Sequence, residues 1–270
     1  MLFARISGLL TLAAIAAAGS MVAMRTEASA AEVGAILPVM SCAALANSDF
    51  TALDARITST ATATRNGHAF CDVKGYISPV TQFEALLPTE TWRGDYLQQG
   101  CGGLCGKADV SLDDPSRTSG YQAPYAPLQN GEMVVAADDQ GHEAPSNGDA
   151  LWARNDLRLR AVWGYSSEHQ LARAMKAIVR AYYGRKPTYS YFSGVSDGGH
   201  EALVLAQRYP ADFDGIIAGA PANNWAPLAG LVAPWVGAAN LNTQGGQILT
   251  AEKLPALHAA VMAACADENA

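Results

Sequence analysis

The chain has 270 residues, and 50% of them are hydrophobic, which is enough apolar material for the core of one large domain. Its formal net charge at pH 7 is −7. An acidic balance of this size disfavours binding to nucleic acids and to anionic membrane surfaces, so we expect neither as a partner.

The first 30 residues have the pattern of a secretory signal peptide. Arg5 supplies a positive start, residues 9–18 form an apolar run, and Ala28-Ser29-Ala30 matches an A-x-A cleavage site. The alternative is a membrane anchor, which needs about 20 continuous apolar residues, and this run is shorter. The sequence therefore predicts a secreted or periplasmic protein with a signal peptide over residues 1–30 and a mature chain over 31–270.

Export makes the cysteines candidates for disulfide bonds. Cys42, Cys71, Cys101 and Cys105 could form two bridges in any of three connectivities, of which we favour Cys42–Cys71 and Cys101–Cys105. Cys265 is then left over. Zinc is the alternative for Cys101 and Cys105, but no second cysteine pair or histidine cluster accompanies them, so we predict no metal there.

The predicted elements alternate between strands and helices along most of the chain. Apolar patterns predict strands at 70–77, 82–88, 95–98, 132–137, 189–193 and 213–221, the last one buried. Helices are predicted at 167–183, after the turn at 194–198 and at 254–264, while residues 222–248 are predicted to be irregular. Strand–helix–strand repetition indicates an α/β fold with a parallel sheet.

Two of these helices carry a clear apolar face. In the helix at 167–183 the face consists of Leu171, Met175, Ile178, Val179 and Tyr182, and Gly184 ends the helix. In the helix after the turn it is predicted from Ala202, Leu203, Ala206 and Tyr209, and Pro210 ends the helix. Both faces indicate core packing rather than function.

The segment Gly194-Val195-Ser196-Asp197-Gly198 fits the G-x-S-x-G pattern of a nucleophile elbow. It lies between a predicted strand and a predicted helix, which is the setting that this turn requires. Its glycines keep Cβ atoms out of a crowded turn, so that the Ser196 hydroxyl can project into solvent. The alternative is an ordinary glycine-rich turn with a surface serine. The setting favours Ser196 as a nucleophile.

A serine nucleophile that attacks a carbonyl needs two N–H donors for the oxyanion that develops. The N–H of Asp197 is the expected first donor, because it belongs to the residue after the nucleophile. The glycine-rich loop at residues 100–103 is a natural source of the second, since glycine lets the backbone approach a substrate closely. The alternative for this loop is a tight turn that a disulfide holds.

Four runs of residues together resemble the tannase and feruloyl esterase family. They are 137–142 (ADDQGH), 177–184 (AIVRAYYG), 191–199 (YFSGVSDGG) and 207–222 (QRYPADFDGIIAGAPA), and they occur in the order that the family has. The resemblance extends over most of residues 40 to 265. It implies an α/β-hydrolase fold and a secreted serine carboxylesterase that acts on small esters of aromatic acids such as gallate or ferulate.

The resemblance also assigns roles to individual residues. Ser196 matches the nucleophile, Asp197 the oxyanion donor that follows it, and Gly102 or Gly103 the other donor. Asp139 and His142 match a recurrent motif that we interpret as structural or site-lining, with His142 as a less favoured candidate for the catalytic base. No cofactor is expected for the chemistry.

This chain departs from the family in two respects. The family has a cysteine before the nucleophile, bonded to a cysteine beside the catalytic histidine, whereas Val195 stands here. The family also places its catalytic Asp and His after a lid domain that often holds a structural calcium ion. We therefore expect residues 31–270 to be the N-terminal part of the catalytic domain, an α/β-hydrolase fold incomplete at its C-terminus, with the lid domain and the last strands missing.

His200 and His258 are not favoured as the catalytic base. His200 lies on the helix after Ser196, and His258 lies in an Ala/Leu-rich helix, so both are interpreted as core or surface residues. Two alternatives remain for the function: another secreted serine esterase, acting on polyesters or lipids, and a catalytically inactive fragment or paralogue of the fold.

Overall fold

The computed structural model describes residues 34–117, 122–146 and 148–266, and the predicted signal peptide lies outside them. Seven strands form one mixed sheet in the order β1-β2-β3-β5-β4-β6-β7. The neighbours from β1 to β5 pair antiparallel, and those from β5 to β7 pair parallel. The strands are β1 Ala55–Arg65, β2 His68–Ile77, β3 Thr81–Pro88, β4 Asp95–Gln99, β5 Met133–Asp138, β6 Tyr189–Val195 and β7 Gly215–Gly219.

Eight α-helical segments accompany the sheet in the described ranges: α1 Cys42–Leu45, α2 Ala126–Gln129, α3 Leu157–Ala161, α4 Ser167–Tyr183, α5 Asp197–Arg208, α6 Trp225–Pro227, α7 Ala233–Ala239 and α8 Leu254–Ala264. Two π-helical turns occur at Val162–Ser166 and Leu228–Val232. Short 3₁₀ turns lie at Thr51–Leu53, Leu151–Ala153 and Ala251–Lys253. Within these ranges, no helix has the length and apolar character needed to span a bilayer.

The core lies on both faces of the sheet, as the alternation along its strands requires. In β5, Val134 packs into the cluster that includes α4, whereas Val135 packs into a smaller cluster on the opposite face. The predicted apolar face of α4 is confirmed, because its five side chains are at most 1% exposed. Each such side chain contributes roughly 1.5–3 kcal/mol by leaving water.

The structure confirms the predicted strands and the helix at 167–183, which begins and ends at the predicted residues. The predicted apolar face of α5 is wrong in part. Leu203 is 39% exposed and Ala206 is exposed, while Glu201 and Leu205 are buried. The helix packs on the sheet through positions 198, 201, 202 and 205, which are spaced as one helical face.

Two further expectations need correction. The strand at 213–221 was expected to be buried, but Ile217 is 56% exposed, because β7 pairs only with β6 among the described residues. Residues 222–248 were expected to be irregular, yet α6, a π-helical turn and α7 occupy most of 225–239. Pro234 is compatible with a helix here, since it lies in the first turn of α7, where it removes no helical hydrogen bond.

Both favoured disulfide pairings are confirmed. Cys42–Cys71 joins α1 to β2, and Cys101–Cys105 closes a short loop after β4. Cys265 is unpaired and exposed. Because the thiols of Cys101 and Cys105 are bonded to each other, they leave no thiolate for a zinc ion.

Candidate active site

The predicted nucleophile lies at the sharp turn between β6 and α5. Ser196 has φ 64° and ψ −113°, a conformation that non-glycine residues rarely adopt and that clusters at functional sites. Its N–H donates to the Gly219 carbonyl at 3.0 Å, and its carbonyl accepts from His200 N at 3.2 Å and Ala222 N at 2.8 Å. The strained turn is therefore held from β7, from α5 and from the segment after β7.

Small residues are required on both sides of Ser196. A Cβ atom on Gly194 would overlap the backbone of Gly198, and one on Gly199 would lie 2.5 Å from the Gly219 carbonyl oxygen. Real Cβ atoms do not approach backbone this closely. The glycines of the motif thus serve close packing of β6, α5 and β7, as the elbow interpretation expects.

The loop after β4, residues 100–105, contacts the same turn. Gly198 N donates to the Cys101 carbonyl at 2.6 Å, which ties the loop to the first turn of α5. Asp197 is the first residue of α5, so its N–H has no intrahelical acceptor. Within the part of the chain that the structure describes, the N–H groups of Asp197, Gly102 and Gly103 make no hydrogen bond. Their role as oxyanion donors remains a prediction.

Three carboxyl side chains that sequence analysis did not single out lie buried next to this loop: Asp138, Glu168 and Glu201. Gln98 donates its amide to Glu168 Oε2 at 2.5 Å, and Gln140 donates to Glu201 Oε1. Burial raises the pKa of Glu168 and of Glu201 well above the ordinary value and raises the pKa of Asp138 to about 6. The acids of this cluster therefore hold their protons to higher pH than exposed acids do, because burial and neighbouring like charges disfavour ionisation.

Asp139 and His142 lie close in sequence but have different surroundings. Asp139 Oδ1 accepts from Gln82 N at 3.0 Å and Gly141 N at 2.8 Å, which fastens the end of β5 to β3. Burial, and then the charge of Asp138, raise the pKa of Asp139 to about 7. The structural or site-lining role expected for Asp139 remains a prediction.

His142 is 6% exposed and stacks on Trp152, with ring centroids 3.8 Å apart. Burial lowers the pKa of its imidazole, and the neighbouring backbone of Gln140 and Leu104 opposes this shift in part. The ring thus lies near the 100–105 loop. In the described residues, however, neither ring nitrogen has a hydrogen-bond partner, and no hydrogen bond joins the Ser196 hydroxyl to a histidine ring.

Aromatic side chains flank the turn on the α5 side. Trp225 donates its indole N–H to Asp197 Oδ1 at 3.2 Å, and His200 Nδ1 lies 3.5 Å from the same oxygen. Trp163, from the π-helical turn before α4, packs against both rings, with centroids 5.8 Å from His200 and 5.7 Å from Trp225. His200 is therefore a packed, half-buried residue, as predicted, and His258 is exposed.

One group of potential metal ligands occurs in the described ranges: Cys101, Asp197 and Glu201 approach one another within 4.8 Å. The sulfur of Cys101 is bonded to Cys105, so it cannot act as a thiolate ligand. The remaining two carboxyl groups do not make a cation site by themselves, and we assign no metal to them.

The burial of one of these acids, Glu201, could have been predicted from the sequence. Gly198, Glu201, Ala202 and Leu205 follow the i, i+3, i+4, i+7 spacing of a buried helical face, and this spacing could have identified Glu201. Asp138 and Glu168 offered no comparable signal, since their burial depends on contacts across 70 residues of chain, from Gln98 to Glu168.

Comparison with known proteins places these features in a family. The family described as tannase and feruloyl esterase matches residues 62–269. An uncharacterized esterase of Xanthomonas campestris pv. campestris is 38% identical over 201 residues, which are 73% of this chain and 32% of that protein. The mono(2-hydroxyethyl) terephthalate hydrolase of Piscinibacter sakaiensis is 34% identical over 179 residues, 61% of this chain and 28% of that protein.

Among solved structures, feruloyl esterase B from Aspergillus oryzae matches with a TM-score of 0.59 and 24% identity, over 76% of this chain and 42% of that one. This likeness supports the α/β-hydrolase fold. The chain spans about a third of the length of the sequence relatives described above.

Proposed function

The chain belongs to the tannase and feruloyl esterase family, whose members are esterases, and on this basis we propose that it hydrolyses esters of aromatic acids with Ser196 as the nucleophile. The observation that carries the proposal is the strained turn at Ser196, which the hydrogen bond from Gly198 N to the Cys101 carbonyl connects to the glycine-rich loop. Two relatives support the substrate class, because their names refer to feruloyl and terephthalate esters, both formed from aromatic acids.

The reaction would proceed by acyl transfer. Ser196 Oγ attacks the ester carbonyl and gives its proton to a base, while the Asp197 N–H and the N–H of Gly102 or Gly103 bind the oxyanion. The intermediate then expels the alcohol, which receives the proton from the base, and leaves an acyl group on Ser196. Water, deprotonated by the same base, releases the acid. These steps require no metal or cofactor.

We place the histidine base and its carboxylate partner in a longer chain, after residue 270, as the family resemblance implies. In the described residues no hydrogen bond joins the Ser196 hydroxyl to a histidine ring, which supports this placement. The calcium ion of the family would likewise belong to the lid, and none of the residues described above supplies a site for it. We also propose that the protein is exported, and the predicted signal peptide and the two disulfides support this.

The test uses the full gene product in which this chain occurs. A fluorophosphonate probe should label Ser196, and the product should hydrolyse methyl ferulate or methyl gallate faster than an aliphatic ester of similar size. Ser196→Ala should abolish labelling and hydrolysis, whereas Ser59→Ala, at an exposed site on β1, should retain both. Labelling that persists unchanged in Ser196→Ala would disprove the assignment.

Residues 31–270 expressed alone should have little or no activity. Without its histidine, a serine triad loses on the order of a million-fold in turnover. Equal rates for this fragment and the full product would show that a base exists among these residues, and His142 would then be the candidate to replace. A full product with no hydrolysis and no labelling would favour the inactive alternative.

A further inference from the structure

Arg117 lies against the loop that carries the proposed oxyanion donors. Its guanidinium donates four hydrogen bonds to backbone carbonyls: Nε to Gly100 at 3.2 Å, Nη1 to Lys107 at 3.1 Å and Asp109 at 2.8 Å, and Nη2 to Asp138 at 3.2 Å. These carbonyls belong to the start of the loop, to the segment after it and to the end of β5. One side chain therefore joins three segments of backbone.

The chemistry of the guanidinium suits this arrangement. Arginine presents five N–H donors in a fixed planar fork, whereas lysine has three donors on one compact ammonium group. Lysine could not reach four carbonyls that lie on different sides of the fork. The backbone of Arg117 is itself left-handed, with φ 56°, which is uncommon for a residue with a side chain and marks a position that its surroundings constrain.

The loop is held at each of its ends. At its start, Gly100 bonds to Arg117, and the Cys101 carbonyl accepts from Gly198 N. At its end, Cys105 is bonded to Cys101, and its sulfur lies 3.6 Å from Arg117 Nη2. Gly102 and Gly103 lie between these anchors; in the described structure their N–H groups make no backbone hydrogen bond, and the Gly102 carbonyl accepts from Cys105 N at 3.3 Å. Their orientation therefore depends on what holds the ends.

We propose that Arg117 is a positioning residue for the oxyanion site: its guanidinium fixes the backbone of residues 100–105 so that a loop N–H stays directed toward the carbonyl that Ser196 attacks. The inference rests on the proposed esterase function. It concerns a residue that does not itself contact substrate. The loss of this anchor would let the loop relax, and the tetrahedral intermediate would lose part of its stabilisation while substrate binding would change little.

The test compares Arg117→Lys and Arg117→Ala with Arg173→Lys, a matched control on the exposed side of α4, all in the full gene product. Removal of one oxyanion donor lowers kcat by about 100- to 1,000-fold, so we expect a loss of at least about tenfold for the lysine variant and up to about 100-fold for the alanine variant. KM for methyl ferulate should change less than about threefold, as for an interaction made only in the transition state. The control should match the wild type.

A second measurement separates positioning from folding. Thermal unfolding should show that Arg117→Lys is folded, and guanidinium ions at millimolar concentration should restore part of the kcat of Arg117→Ala. A folded Arg117→Lys with wild-type kcat would overturn the inference. So would a loss of kcat that merely follows the folded fraction in both variants, since Arg117 would then act in folding alone. A wild type without hydrolysis or Ser196 labelling would instead refute the proposed function.

Discussion

Four acids are buried at the end of β5 and on helices α4 and α5. Asp138, Asp139, Glu168 and Glu201 are each at most 5% exposed, and one oxygen of each has no hydrogen-bond partner in the described structure. A buried carboxylate without compensation is costly, so such groups take up protons instead. The free energy of unfolding should therefore depend on whether these acids are protonated. Asp139→Asn, a substitution of nearly the same shape, tests this dependence.

Asp139→Asn should flatten the dependence of stability on pH. The pKa of Asp139 is raised from 3.8 to about 7, so the folded state binds its proton more tightly than the unfolded state does. The resulting stabilisation is complete below about pH 4 and is lost as the pH rises through about 7, by up to about 4 kcal/mol. Asparagine remains neutral and keeps the Oδ1 acceptor for Gln82 and Gly141.

Urea unfolding at pH 5, 6, 7 and 8 measures this effect. The wild-type free energy of unfolding should fall over this range, and the fall should be smaller in Asp139→Asn. Asp113→Asn, at an exposed position, is the control and should follow the wild type. Identical slopes for Asp139→Asn and the wild type would show that Asp139 does not titrate as its burial requires.

Among the helices, strands and turns, the sequence predicted the features that depend on residue patterns within a short stretch of chain. The bounds of α4 followed from its apolar face and from Gly184, which ends the helix with φ 71°. The elbow followed from glycines at fixed spacing around Ser196. The wrong predictions concern residues whose exposure or conformation depends on packing between distant segments of the chain. Leu203 has the spacing of a packed residue but faces solvent, and residues 225–239 were predicted to be irregular although they are helical.

Gly194→Ala should disrupt the junction of β6 and α5. The added methyl group would meet the backbone of Gly198, which cannot move without displacing the first turn of α5. We expect the free energy of unfolding to fall by about 2–3 kcal/mol, the usual cost of overpacking against a rigid neighbour, and fluorophosphonate labelling of Ser196 to slow. Chemical denaturation and probe kinetics measure the two effects.

Gly237→Ala in α7 is the matched control for this substitution. Nothing lies within 4 Å of a Cβ atom at that position, and alanine favours a helix over glycine by roughly 0.5–1 kcal/mol. This variant should therefore be as stable as the wild type or slightly more so. Equal stability of Gly194→Ala and the wild type would contradict the close packing described for the elbow.

Across the whole molecule, the sheet assembles the site from distant segments. The parallel strands β4, β5, β6 and β7 end at Gln99, Asp138, Val195 and Gly219, and the carboxyl ends of parallel strands lie at one edge. This edge brings the 100–105 loop against α5, so that Cys101 approaches Glu201 across 100 residues of sequence. Sequence patterns identified the loop and the elbow separately. They could not show which buried acids and which arginine the fold would place between them.

The disulfides and the predicted signal peptide together give the last prediction. Cys42–Cys71 closes a loop with a sequence separation of 29, and a bridge of this length stabilises the fold by about 3–4 kcal/mol. Such a bond persists in an oxidising compartment, which the signal peptide would provide. We expect the exported protein to begin at or near Ala31, by N-terminal sequencing of material from the medium or periplasm.

Thiol chemistry on the same material tests the second half of this prediction. Alkylation of the denatured protein without reductant should leave Cys42, Cys71, Cys101 and Cys105 unmodified, and alkylation after reduction should modify all four. In the control Cys42→Ser, peptide mapping should find label on Cys71 without reduction, because its partner is gone. An intact Met1 on exported protein would refute cleavage near residue 30, and label on Cys42 or Cys101 without reduction would refute an oxidised mature fold. The two outcomes are independent, because a protein can lose its leader and still fail to form both bridges.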